Sequence, residues 1–240
     1  MIITSIDNKK IKELCKLYDK KYRKDSDLFI VEGEHLVTEA NKHGLLKEVY
    51  SLNSVDYDNV TLVSEAVMKK ITSLTSIPSM IGVCKKVKEK ELGDRILILD
   101  NIQDPGNLGT IIRSAVAFSI DTIVLSCDTV DLYNPKVIRA TQGMIFHTNI
   151  IVRNVYDWVR MIKASDFRVY GTCVDGGVDV KSLTPEDKEK FVLIVGNEGN
   201  GVKRRILDLC HENLYIKMNA DVESLNVAVA TSILLYELGN

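Results

Sequence analysis

Three times in this chain a short apolar run ends in a polar turn that leads directly into a helical pattern. The first run is Ile96-Leu97-Ile98-Leu99. It is followed by Asn101-Ile102-Gln103-Asp104-Pro105-Gly106-Asn107-Leu108-Gly109 and then by Thr110-Ile111-Ile112-Arg113-Ser114-Ala115. A buried strand feeding at once into a helix restricts the chain to α/β architectures, because the helix supplies the crossover that parallel strands need. Ligands of such sheets bind at the carboxyl ends of the strands. Backbone N–H groups and amide side chains near a helix N-terminus also favour anionic groups there. Arg113 lies six residues after Asn107. If the helix begins near Asn107, the Arg113 side chain can point back over the same end of the sheet. Alone, Asp104-Pro105-Gly106-Asn107 is equally a good β-turn. Connection and site remain alternatives until the other two junctions are weighed.

The second junction is Val192-Leu193-Ile194-Val195 running into Gly196-Asn197-Glu198-Gly199-Asn200-Gly201. Glycines let a ligand approach the backbone closely. The spacing is not Gly-x-Gly-x-x-Gly, and no Gly-Lys-Ser/Thr follows, so neither a dinucleotide fingerprint nor an NTPase loop is present. Glu198 in such a turn is also compatible with plain exposure. The third junction runs from Ile216-Lys217-Met218 through Asn219-Ala220-Asp221-Val222-Glu223-Ser224-Leu225-Asn226. Ser224 or Asn226 can cap the long C-terminal helix. Core packing explains that helix's face of Val227, Ala230, Ile233, Leu234 and Leu238. By the sheet rule, the three junctions gather at one edge.

The alternation extends through the C-terminal part. Strands are expected over 95–100, 122–126, 149–152, 168–173, 191–195 and 214–217. Helices are expected over 108–118, 136–142, 155–164, 203–209 and 226–238. This is the rhythm of a parallel sheet covered on both faces. The N-terminal part reads as a smaller α/β unit, with helices over 8–18, 34–43 and 65–71 and strands over 28–31, 49–52, 60–63 and 81–84. The Lys- and Glu-rich stretch 85–93 lacks apolar periodicity and reads as a linker, which places domains at 1–88 and 94–240.

Several function classes are excluded. No apolar run is long enough to span a bilayer, and the N-terminus lacks the basic-then-apolar pattern of a signal peptide; the expected location is the cytoplasm. Five cysteines stand far apart with no Cys-x-x-Cys pair, and four histidines show no ligand spacing. No metal site or disulfide framework is expected. Cys127 and Cys173, at strand ends, read as small buried hydrophobes. A net charge of −2 gives no global case for nucleic acid, but basic residues cluster locally. Residues 9–24 hold seven Lys and one Arg against Glu13 and Asp19, and 85–90 hold four Lys against Glu89. Such runs are compatible with a phosphate backbone.

In combination the junctions resemble the three motifs of the SpoU (TrmH-type) RNA ribose 2′-O-methyltransferases, of the SPOUT superfamily. Asn-x-x-Asp-Pro-x-Asn-x-Gly-x-x-x-Arg, Gly-Asn-Glu-Gly-x-Gly and Glu-Ser-Leu-Asn-Val stand in the family's order and approximate spacing. Phe29-Ile30-Val31-Glu32-Gly33 is similar to the family's RNA-substrate-binding domain. The resemblance covers essentially the whole chain. It implies an α/β fold with a knotted (trefoil) parallel-sheet catalytic domain, a smaller N-terminal RNA-binding domain, and a homodimer. General topology rules argue against a knot, so that expectation comes from the resemblance alone.

The resemblance also implies S-adenosylmethionine as cofactor, contacted by Gly196, Ile216 and Leu225, with Thr172 and Met218 as further neighbours. Arg113 matches the family's catalytic arginine, and Asn107, Glu198, Ser224 and Asn226 match its other functional positions. A guanidinium stays protonated in proteins, so Arg113 is expected to clamp the target phosphate and stabilise a developing alkoxide. Glu198 is expected to orient Arg113 or accept the proton, and Asn107 and Asn226 to position the ribose. The chain departs from the common pattern at Lys217 (proline), Ala220 (glycine), Ala228 (serine) and Thr141 (serine), which bears on the cofactor loop more than on the chemistry. The expected substrate is structured RNA, with ribosomal RNA ahead of transfer RNA. A non-catalytic RNA-binding protein, a base-methylating relative and a small-molecule α/β enzyme are the competing readings.

Overall fold

A computed structural model describes residues 2–239, which form two compact units. One comprises the residues up to Lys88 together with Asp131–Phe146; the other comprises Glu89–Val130 together with the residues from His147 onward. The first unit thus takes in 131–146, a stretch inside the expected catalytic half.

The first unit contains β1 (Ile2–Ile3), α1 (Lys9–Lys16), α2 (Lys20–Ser26), β2 (Leu28–Glu32), α3 (Glu34–Lys42), β3 (Leu46–Ser51), β4 (Val60–Val63), α4 (Glu65–Ile71) and β5 (Met80–Lys85). Its sheet has the order β1-β4-β3-β5-β2. Parallel pairs join β4 to β1 and β3, and antiparallel pairs join β5 to β2 and β3. Local chemistry explains the helix starts. The Asn8 side chain accepts from the Lys10 N–H at 2.8 Å, and Asp19 caps α2, each satisfying an orphan donor. The helix expected over 8–18 is therefore two. The first ends near Leu17, and Asp19 begins a second that apolar periodicity alone does not reveal. Ile11 and Leu14 of α1 pack with Ile30, Tyr50, Met68 and Ile71 as the core.

Two charged contacts fasten 131–146 within this unit. Glu32, 6% exposed, accepts hydrogen bonds from Tyr18 Oη, Thr72 Oγ1 and Ser73, and Arg139 Nη1 reaches it at 2.9 Å. Arg23, itself buried, donates to Asp131 at 2.6 Å. A buried charge with several donors or acceptors around it is the form in which burial is tolerated.

The second unit contains β6 (Arg95–Leu99), α5 (Pro105–Ala117) and β7 (Thr122–Ser126); α6 (Pro135–Thr141) falls in the first unit's stretch. The second unit continues with β8 (Asn149–Arg153), α7 (Val155–Ile162), β9 (Arg168–Thr172), β10 (Val178–Asp179), β11 (Phe191–Val195), α8 (Arg204–Leu207), β12 (Glu212–Tyr215) and α9 (Val227–Gly239). Its seven-stranded sheet has the order β10-β12-β9-β11-β6-β7-β8, every pair parallel. Leu97 faces Leu193 on one side and Ile123 on the other. Central parallel strands are covered on both faces, which is why they are continuous apolar runs. Ile96, Ile98, Val124, Val192 and Ile194 pack with Trp158 and Val159 of α7. The helices α5 and α9 pack together, with Ser114 Oγ and Ser232 Oγ 2.6 Å apart.

Some boundaries differ from expectation for local reasons. Helix α5 begins at Pro105 rather than 108, because the Asp104 carboxylate caps the Asn107 N–H at 2.8 Å and proline suits a first helical position. Asp-Pro-Gly-Asn is therefore a helix start, not a β-turn. Strand β12 ends at Tyr215, leaving 216–226 without regular structure. Cys127 is exposed and Cys173 only partly buried, so neither is the buried hydrophobe expected; each stands one residue beyond its strand. Among the described residues no helix is long and apolar enough to cross a membrane.

Candidate functional site

The three junctions lie at the carboxyl ends of β6, β11 and β12 and meet through side-chain amides. At the first, Asn101 adopts a left-handed conformation (φ 65°), which asparagine tolerates better than most residues. Its backbone N–H donates to Ser126 Oγ at 2.8 Å. The chain then enters α5, placing Asn107 in the first turn.

At the second, the loop after β11 folds back on its own start. Asn197 and Gly201 exchange backbone hydrogen bonds of 3.2 and 2.9 Å. Asn197 Oδ1 accepts from the Gly199 N–H at 2.9 Å, and Asn197 Nδ2 donates to the Asn101 carbonyl at 2.9 Å. Glycine is required at 196, because a Cβ there would come within 2.1–2.2 Å of the Gly201 and Val202 backbone. Gly201 in turn has φ +62°.

At the third, Asn226 rather than Ser224 caps α9, its Oδ1 accepting from the Ala228 N–H at 2.9 Å. Asn226 Nδ2 donates to Asn107 Oδ1 at 3.0 Å, and Asn107 Nδ2 donates to Glu198 Oε1 at 3.1 Å. One residue from each junction thus joins a single relay, Asn226 to Asn107 to Glu198. The relay orients the Glu198 carboxylate, which is exposed but not idle.

Beside the relay lies a cavity of about 500 Å³, within the range of small-molecule sites. Gly196, Ile216, Leu225, Thr172 and Met218 all line it, and so do Glu198 and Ser224. Residues not assigned to the site from sequence also line it, among them Cys173, Asp175, Leu214 and Ala230. Cys173 and Asp175 follow β9, a strand end that carries Gly176 and Gly177 but none of the amide side chains found at the other three. Partial burial, and then the Asp175 carboxylate, hold the Cys173 thiol above its ordinary pKa, so it stays protonated at neutral pH.

Arg113 lies on α5, exposed, with no hydrogen bond or ion pair among the described residues. It does not pair with Glu198 within the chain, contrary to one expected arrangement; Glu198 is engaged by Asn107 instead. Its neighbours on the exposed stripe of α5 are the small residues Gly106, Thr110 and Ala117. Of the departures from the family pattern, Lys217 and Ala220 are exposed and Ala228 is buried. Thr141 is buried in α6 of the first unit, its hydroxyl donating to the Ile138 carbonyl.

Comparison with known proteins points to one family. Residues 94–236 match the SpoU rRNA Methylase family, and residues 8–82 match the MRM3-like substrate binding domain. A 23S rRNA (guanosine(2553)-2′-O)-methyltransferase of Bacillus subtilis, RlmP, is 39% identical, with 98% of each chain covered. An AdoMet-bound rRNA methyltransferase from Sinorhizobium meliloti superposes with a TM-score of 0.88 at 29% identity, covering 99% of this chain and 97% of that one. A solved RNA 2′-O ribose methyltransferase gives 0.84 at 27% identity, covering 99% and 98%.

Proposed function

The chain belongs to the SpoU rRNA methylase family, and from that premise we propose how its residues carry the family's reaction. It is an S-adenosylmethionine-dependent RNA 2′-O-methyltransferase acting on ribosomal RNA. S-adenosylmethionine brings a sulfonium-bound, electrophilic methyl group when bound.

The cavity suits that cofactor. Apolar Ile216, Leu225 and Met218 offer an adenine slot, beside Gly196, where the loop backbone closes against Gly201 and Val202. On this reading these residues and Thr172 hold the cofactor. The observation that carries the assignment is the Asn226–Asn107–Glu198 relay at the edge of that cavity. Methyl transfer to a hydroxyl needs the nucleophile held in line and its proton removed. Asn107 and Asn226 position the ribose, and Glu198, oriented by Asn107, accepts the proton. Ser224 is a further polar group at the cavity. Arg113, uncommitted within the chain and permanently charged, clamps the phosphate of the target nucleotide and stabilises the developing oxyanion.

The proposed RNA-binding domain spans 1–88 and the catalytic domain 94–240. The Lys-rich helices α1 and α2 support RNA contact for the first. A trefoil knot in the second is supported by chain order: β12 lies beyond β9, yet the chain returns so that α9 packs on α5, which follows β6. A homodimer is supported by the free Arg113 and by Val229 and Tyr236, one i,i+7 face of α9, which are 49% and 55% exposed. A cytoplasmic location is supported by the likeness to a bacterial rRNA methyltransferase.

Whole-chain likeness to a 23S guanosine methyltransferase favours 23S rRNA over transfer RNA. Methyl-labelled S-adenosylmethionine incubated with undermethylated 23S rRNA and with bulk transfer RNA tests this. Label is expected in the 23S fraction; label confined to transfer RNA would overturn the substrate assignment.

A further inference from the structure

A buried carboxylate outside the relay stands immediately before the first junction. Asp100 follows β6 with its side chain 4% exposed. Its Oδ2 is buried and accepts no hydrogen bond among the described residues. Its Oδ1 lies 3.6 Å from Lys203 Nζ, on a side chain that is 45% exposed. Burial of a carboxylate is costly without a partner, so this lysine is the group that makes Asp100 tolerable where it stands. The separation exceeds a hydrogen bond, and Oδ2 keeps its acceptor capacity.

The position of Lys203 gives the pair a purpose. Lys203 is the residue at which the loop that begins with Gly196 passes into α8. The loop's start is fixed to the first junction, since the Asp100 N–H donates to the Val195 carbonyl at 2.9 Å and Asn197 Nδ2 reaches the Asn101 carbonyl. Its far end carries the charge that faces Asp100. Between these points lie Glu198 and the loop backbone that walls the cavity.

We propose that Asp100 and Lys203 are a positioning pair that latches the Gly196–Val202 loop over the cofactor cavity. Neither residue lines the cavity itself. The long, incompletely satisfied contact lets the loop open for entry, and closure over the cofactor draws Lys203 Nζ to hydrogen-bonding distance of the spare acceptor. Cofactor affinity and the ion pair are then coupled, each strengthening the other. This rests on the reading of the cavity as the S-adenosylmethionine site.

Calorimetric titration of S-adenosylmethionine into the wild type, Lys203→Met, Lys203→Arg, Asp100→Asn and the double variant Asp100→Asn/Lys203→Met tests the latch. Each neutralising single substitution should weaken binding about tenfold, and the double variant should be no weaker than the worse single, because both remove the same interaction. Lys203→Arg should restore binding, and the loss in turnover should fall on the cofactor KM rather than on kcat. Wild-type affinity in Lys203→Met, or losses that multiply in the double variant, would overturn the proposal. Should Asp100→Asn fail to fold, the comparison of Lys203→Met with Lys203→Arg at a half-exposed position still decides it. A wild-type chain that binds no cofactor overturns the cavity reading and the latch with it.

Discussion

Arg113 and Glu198 were both legible in the sequence as polar residues at strand–helix junctions, but their partners were not. Spacing places Arg113 on a helix over the sheet edge; it does not say which acceptor a long side chain finds. In the folded chain Asn107 takes Glu198, and Arg113 is left without a partner among the described residues. Arg113→Ala is therefore expected to abolish methyl transfer while leaving cofactor affinity within about twofold, since on the proposed role the lost contact is to the reacting RNA. Titration of the variant with S-adenosylmethionine beside a single-turnover assay separates the two; retained turnover would contradict its role. His211, unassigned from sequence, is a structural residue. Its Nδ1 accepts the Val169 N–H at 3.0 Å, and partial burial, then Lys163 and Arg168, lower its pKa below 6.5. The unfolded chain takes up that proton first, so stability should fall as pH drops below about 6.5. Melting curves at pH 8 and pH 5.5 should show a slightly smaller loss for His211→Gln than for the wild type.

Elements were predictable where pattern alone decides them. The central strands β6, β7 and β11 are buried on both faces, so their apolar runs marked them without ambiguity. Elements decided by a single cap or pairing were missed or shifted. Asp19 starts α2 where periodicity runs on, Asp104 pulls the start of α5 forward, and the two-residue β10 exists because Val178 and Asp179 pair with β12. The same dependence on local geometry makes the β11 loop brittle. Gly196→Ala places a methyl carbon within 2.2 Å of the Gly201 and Val202 backbone, a contact that main chain cannot yield cheaply. Cofactor binding should fall at least about tenfold with the fold retained, because the loop residues 198–201 that can shift to relieve the clash are exposed. Unchanged affinity would show that the loop does not wall the cofactor site.

At the scale of the molecule, the alternation of apolar runs and amphipathic segments predicted the parallel sheet. It did not predict the excursion of 131–146 into the first unit. That excursion depends on contacts distant in sequence, Arg23 with Asp131 and Glu32 with Arg139, which no local pattern encodes. The proposed knot and the proposed dimer are likewise invisible to periodicity, because chain threading and self-association leave no spacing signal. What binds the scales together is one edge of one sheet, where three junctions bring an amide relay beside a cavity. The most direct test identifies the atom that receives the methyl group. Undermethylated 23S rRNA treated with the enzyme and methyl-labelled S-adenosylmethionine should yield, after complete digestion and mass spectrometry of the nucleosides, label on a ribose 2′-oxygen. Label on a base would contradict the assignment of the relay to a ribose hydroxyl.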